Sequence, residues 1–220
     1  MMNKSQKPYY QDAHVTLYHG DCLEVDAWLE ADVLVTDPPY GMNRAFVGDY
    51  RADQVRVTND HDTTTRDSAL RLWGKEKGFL VFGHWKCDKP KNIKHTVIWS
   101  KDRMSLGDQT AAYATSHEEI YSGGNTSLWV NKREQSVITA KVQTGDSRPD
   151  HPTPKPIGLM EHLVAKTNTG VIADPFAGSG STLLAARNLG RQAIGVEYEE
   201  KYCELIAKRL SQQAFDFGGM

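Results

Sequence analysis

Apolar residues along this chain follow two rhythms: short unbroken runs, and stretches where they recur at helical spacing. Unbroken runs bounded by Gly, Pro or polar residues predict strands buried on both faces; the second spacing predicts helices with one apolar face. Strands are expected at 15–18, 32–36 (DVLVT), 78–83 (GFLVFG), 96–99 (TVIW), 171–173 and 192–196, with weaker candidates at 118–121 and 136–139. Helices are expected at 22–29, from Ser68 to Trp73, over 156–166 and over 181–189, where Gly190 ends the last one. A C-terminal helix carries Tyr202, Leu205, Ile206 and Leu210 on one face. Strands alternating with helices predict a mostly parallel sheet covered on both sides. Residues 41–67 hold four Arg and five Asp with little periodicity and read as a long loop. Residues 145–156, polar and Pro-rich, read as another.

Composition narrows the class. A chain of 220 residues has room for one domain with a sizeable core. With no apolar run of membrane-spanning length and no signal-peptide core at the start, a soluble cytoplasmic protein is expected. Cys22, Cys87 and Cys203 form no CxxC pair, which excludes a zinc ribbon and a disulfide framework as sequence-level readings. The net charge of −2 argues against a nucleic-acid coat protein. Yet residues 75–103 hold eight Lys/Arg against three acids, which suits an enzyme that touches a polyanion on one side.

Two strand-to-loop junctions carry the candidate chemistry: Asp37-Pro38-Pro39-Tyr40 after 32–36, and Asp174-Pro175-Phe176-Ala177-Gly178-Ser179-Gly180 after 171–173. Open α/β sheets bind ligands beyond the carboxyl ends of their strands. In the second junction the glycines permit close backbone approach to a ligand, though many nucleotide folds and plain tight turns share this pattern. No Lys follows, so a P-loop is excluded; Glu197 closes the next strand, where an acid can bind ribose hydroxyls. In the first junction the prolines stiffen the backbone and remove donors. The Pro38 carbonyl and Asp37 then offer two acceptors, and Tyr40 a flat face. A ring amino group, whose lone pair is delocalised, needs such a grip on both hydrogens to become a nucleophile. A proline-stiffened strand end with a capping Asp is the plainer alternative.

DPPY followed by DPFAGSG, in that order, resembles the β-class amino-methyltransferases of DNA, in which the catalytic motif precedes the cofactor loop. Further matches are Gly20-Asp21, Gly195-Val196-Glu197 and His151-Pro152-Thr153-Pro154-Lys155-Pro156, where Pro154 replaces a residue that is commonly polar in the family. The resemblance implies an α/β, Rossmann-like methyltransferase fold, circularly permuted, with a mostly parallel seven-stranded sheet and helices on both faces. It implies one catalytic domain over 1–220, a DNA-contacting loop at 41–67 and a reduced target-recognition region at 101–150. S-adenosylmethionine is the implied cofactor and S-adenosylhomocysteine the product; no metal is needed. Asp174, Pro175, Phe176, Ala177, Gly178, Ser179 and Gly180 would shape its pocket, Glu197 would bind the ribose and Asp21 the adenine. Thr153 and Lys155 would face its carboxylate, and Asp37, Pro38, Pro39 and Tyr40 would form the catalytic grip.

The implied substrate is double-stranded DNA, at N6 of adenine or N4 of cytosine; a leading Asp is usual for adenine and a leading Ser for cytosine. Relatives acting on RNA bases or protein amides usually begin the motif with Asn. A catalytically silent DNA-binding module is disfavoured by the intact cofactor residues. A stand-alone modification enzyme, monomer or homodimer, is expected. Of the remaining features, His84-Trp85 could line the base pocket, His117-Glu118-Glu119 reads as a solvated turn, and the lysines of 86–94 face either phosphate or solvent. In the tail, Phe215 and Phe217 are expected to fold back over the last helix; Gln212-x-x-Phe215-x-Phe217 also resembles the peptide bound by bacterial sliding clamps.

Overall fold

A computed structural model describes residues 6–42, 45–46, 55–56, 61–102, 110, 112–125, 129–130, 133–143, 151, 153–167 and 170–213. In chain order the elements are β1 (Tyr10–Gln11), β2 (Val15–His19), β3 (Val33–Thr36), β4 (Ala45–Phe46), β5 (Val55–Arg56), α1 (Thr64–Trp73), β6 (Gly78–Gly83), β7 (Ile93–Lys101), β8 (His117–Gly123) and β9 (Val137–Ala140). There follow α2 (Ile157–Ala165), β10 (Ile172–Asp174), α3 (Ser181–Asn188), β11 (Ala193–Glu197) and α4 (Glu200–Gln213).

The main sheet has nine strands in the order β1-β2-β11-β10-β3-β6-β8-β7-β9. This corrects the expected count of seven strands; five of the sheet's eight pairings among the described residues are parallel and three are antiparallel. The centre, from β2 to β6, is parallel as the apolar runs predict. β8 is antiparallel to both its neighbours, β1 is antiparallel to β2, and β9 is parallel to β7. The two-residue β1 is too short to show any pattern in sequence. β4 and β5 pair as a separate antiparallel ribbon within 41–67, and α1 also begins inside that segment, so it is not wholly a loop. The helix expected at 22–29 is instead a 3₁₀ turn at Ala27–Glu30.

The strands' twofold period sorts the core into two layers. Val33, Val35, Leu80, Phe82 and Ile172 pack on the side covered by α2, α3 and α4. Leu34, Phe79, Val81 and Ala173 pack on the other, against α1 and the 3₁₀ turn. The second layer is closed by Trp28 stacked on Trp73, with ring centroids 5.8 Å apart. Each such fully buried large apolar side chain stabilises by roughly 1.5–3 kcal/mol. Among the described residues no helix is long and apolar enough to cross a membrane.

Candidate active site

Because β2, β11, β10, β3 and β6 run one way, their C-terminal ends open on the same edge of the sheet. A cavity of about 300 Å³ lies there. The loops after β2, β3, β10 and β11, the segment before α2 and the start of β8 wall it. Asp21, Asp37, Pro38, Pro39, Tyr40, Thr153, Lys155, Asp174, Pro175, Phe176, Ala177, Gly178, Ser179 and Glu197 all line it, although sequence separates the two motifs widely.

Strand register positions the glycine turn. Ala173 pairs with Leu34, so Asp174 ends its strand beside the last residues of β3. Its Oδ1 accepts the Thr36 hydroxyl at 2.6 Å and the Phe176 N–H at 3.2 Å. Burial outweighs these bonds and raises the Asp174 carboxyl to about 6. Gly178 adopts a φ of +53°, and a Cβ there would lie 3.1 Å from His151 Nε2. Its N–H donates to Glu197 Oε2 at 2.7 Å, while Glu199 N–H donates to Oε1 at 2.8 Å. Both carboxylate oxygens are thereby fixed yet keep lone pairs for a ligand. Burial, opposed by the two N–H bonds, raises the Glu197 carboxyl to about 7. Gly20 N–H bonds the Glu197 carbonyl at 2.9 Å and so brings Asp21 beside it; Asp21 Oδ1 accepts Leu23 N–H at 2.8 Å. Gly180 departs from expectation: it is the left-handed cap of α3, packed against Ile206, and does not line the cavity.

On the β3 side four polar side chains close a ring. Tyr40 OH lies 2.5 Å from Asp37 Oδ1 and 3.2 Å from Glu118 Oε2. Lys155 Nζ pairs with Asp37 Oδ2 and lies 3.3 Å from Glu118 Oε2. Lys101 Nζ holds the other Glu118 oxygen at 2.6 Å. Burial raises the Asp37 carboxyl, and Lys155 only partly offsets this. Burial acts on Glu118 too, but Lys155 and Lys101 overcome it and hold the carboxyl at about 2. Lys155, expected at the cofactor carboxylate, here joins the DPPY segment to the helix that follows the glycine turn: its carbonyl accepts the hydroxyl of Ser181, the first residue of α3, at 2.8 Å.

Sequence reasoning missed Glu118, Lys101, His151 and Tyr202 as lining residues. His117-Glu118-Glu119 is not a solvated turn but the first part of β8. The strand candidate at 118–121 already contained Glu118 and Glu119, and it is this reading that holds. His84 lines the cavity, whereas Trp85, stacked on it at 5.8 Å, is 53% exposed. The basic segment splits. Ile93 and Phe79 both pair with Gly123, so β7 starts at the sheet end remote from the cavity, and Lys94 stands there.

The sequence profile of a family described as DNA methylase, covering N6 and N4 enzymes, matches residues 89–209. The type II methyltransferase M2.DpnII of Streptococcus pneumoniae is 41% identical over 257 residues, spanning 94% of this chain and 93% of that protein. The type II methyltransferase M.ScaI of Streptomyces caespitosus is 24% identical over 94% of this chain and 85% of its own. Among solved structures, the M1.HpyAVI–SAM complex superposes with a TM-score of 0.65 at 23% identity, covering 89% of this chain and 98% of that one. The cytosine-N4-specific PvuII DNA methyltransferase gives a TM-score of 0.68 at 15% identity, covering 92% and 88%. These likenesses, with a profile spanning over half the sequence and a near full-length relative at 41% identity, show that the chain belongs to the N6/N4 family of DNA amino-methyltransferases.

Proposed function

We propose that this protein transfers a methyl group from S-adenosylmethionine to N6 of adenine in double-stranded DNA. The observation that carries the reading is the shared cavity: the DPPY grip and the glycine turn with Glu197 face one space. The residues fit the cofactor. Glu197, held by two backbone N–H groups, suits a pair of ribose hydroxyls, and the missing Cβ at Gly178 leaves room beside His151. Asp21 would receive the adenine edge and Phe176 would flank it; Thr153 and Lys155 would meet the carboxylate. When bound, the cofactor supplies a sulfonium methyl already activated for transfer, so the protein chiefly positions and solvates.

Asp37 and the Pro38 carbonyl accept the two amino hydrogens and turn the nitrogen lone pair out of the ring. The Tyr40 ring holds the base once it has left the duplex stack. The leading Asp37 supports adenine over cytosine. The segments 41–67 and 101–150 are the proposed DNA-contacting and recognition regions; β8 and β9 take part of the latter for the sheet. This leaves little chain for target recognition and supports a short or relaxed recognition sequence. The protein would work alone in the cytoplasm of a bacterial or phage-infected cell, as monomer or homodimer. A sliding-clamp contact through the tail involves Phe215 and Phe217, which lie outside the described residues. Base-resolved sequencing of DNA from cells expressing the chain tests the assignment. N6-methyladenine in a short motif is expected; N4-methylcytosine, or no modified base, would overturn it.

A further inference from the structure

Glu118 is a carboxylate that none of the sequence motifs assigns, yet it sits among the groups of the catalytic motif. Its side chain is 15% exposed and reaches the cavity from β8, the antiparallel strand. The four other polar groups around it come from separate parts of the chain: Asp37 and Tyr40 after β3, Lys155 before α2, and Lys101 at the end of β7. Trp99 pairs with Glu118 across the two strands, so Lys101 is a near neighbour of Glu118 on the same edge. Two carboxylates and two ammonium groups thus balance in a buried cluster, where an unmatched charge would be costly. Lys101 alone would serve to neutralise Glu118. The second oxygen of Glu118 is nevertheless turned to Tyr40 and Lys155, the partners of Asp37.

We propose that Glu118 is a positioning residue for the catalytic motif: it competes with Asp37 for the Tyr40 hydroxyl and shares the Lys155 ammonium with it, so that each Asp37 oxygen keeps a lone pair for the target amino group. Without the Glu118 charge, Lys155 and Tyr40 have Asp37 as their one anionic partner in the ring. Each already bonds one Asp37 oxygen, and without the pull of Glu118 both would close further onto the lone pairs that the base must use. The effect belongs to the chemical step, because Glu118 acts on Asp37 through its neighbours. This rests on the methyl-transfer reading above.

The test is Glu118→Gln in the full chain, nearly isosteric and uncharged. Methyl transfer to DNA is measured under steady-state and single-turnover conditions, with cofactor affinity by calorimetry and melting temperature alongside. The expected result is a kcat lower by about tenfold or more, with KM for DNA and Kd for the cofactor within about twofold of the native values. Glu118→Asp, which keeps the charge, should recover part of the rate. Paired with Tyr40→Phe, Glu118→Gln should cost less than the sum of the single losses, because both act through one ring. A Glu118→Gln kcat within about twofold of native would overturn the proposal, as would additive losses in the pair. Rate, cofactor affinity and melting temperature falling together would make Glu118 merely structural. A native protein that methylates no DNA would instead reject the function on which the proposal rests.

Discussion

At Asp37 burial and the nearby Glu118 push the carboxyl up while Lys155 and Tyr40 pull it down, and it ends raised. The same contest, with different partners, sets Glu197 and Asp174. For Glu197 the ribose hydroxyls of the cofactor would donate to the ionised form, and its carboxyl stands at about 7. Cofactor affinity should therefore rise from about pH 6 to about pH 8 and level off above. Calorimetry across that range should show the rise in the native protein. Glu197→Gln should be weaker by ~1.5–3 kcal/mol and flat with pH. For Asp174 the folded pKa, about 6, lies above its ordinary 3.8. Its contribution to stability is then fully present below 3.8 and is lost as pH rises through about 6. Asp174→Asn keeps an oxygen for the Thr36 hydroxyl and the Phe176 N–H without the buried charge. It should gain stability over the native protein at about pH 8, by on the order of 1–3 kcal/mol, and not at about pH 4. Denaturant titration at the two pH values checks the sign.

At the scale of elements, the turn from β10 into α3 shows how one motif divides its labour. Gly178 faces the cavity, whereas Gly180 at φ +79° packs its backbone on α4, and a Cβ there would lie 2.9 Å from Ile206 Cγ1. Gly180→Ala should cost roughly 2–4 kcal/mol of stability through left-handed strain and overpacking, read as a lower melting temperature. The glycines were legible as a turn, but their separate tasks were not, because Ile206 comes from a helix far along the chain. The central strands were legible because burial on both faces leaves an unbroken apolar run, as in DVLVT and GFLVFG. β8 was legible only as a weak candidate at 118–121, and the role of Glu118 was not, since it looks solvated until Lys101 and Lys155 arrive from elsewhere to match it. The basic segment shows the converse: one charge run in sequence, but Lys94 lies at the end of the sheet away from the cavity. Lys94→Glu should leave DNA affinity within about twofold and its salt slope unchanged, whereas Lys86→Glu, just past the cavity-lining His84, should lower the slope by about one. Binding isotherms at several salt concentrations separate the two.

For the molecule as a whole, DPPY stands early in the chain and DPFAGSG late, and the sheet brings them together by setting β3 next to β10. Sequence supplied nearly all the residues of both motifs, since each is contiguous and ends a strand. It could not supply their junction. The Thr36–Asp174 hydrogen bond and the Asp37–Lys155 ion pair each span more than a hundred residues. Of the strands in the sheet, sequence missed β1, which is too short to show a pattern, whereas β8 and β9 were readable as the weaker candidates at 118–121 and 136–139. If one cavity binds the methyl donor and presents Asp37 to an adenine amino group, the modified base itself carries the proof: the purified protein is incubated with labelled S-adenosylmethionine and double-stranded DNA, and the DNA is digested to nucleosides that are then separated. Label is expected in N6-methyl-2′-deoxyadenosine with the native protein. With Asp37→Ala none is expected, while cofactor affinity stays within a few-fold, since that contact supplies ~2–4 kcal/mol or more to the transition state alone. Label in N4-methyl-2′-deoxycytidine, no label in DNA, or near-native transfer by Asp37→Ala would overturn the assignment.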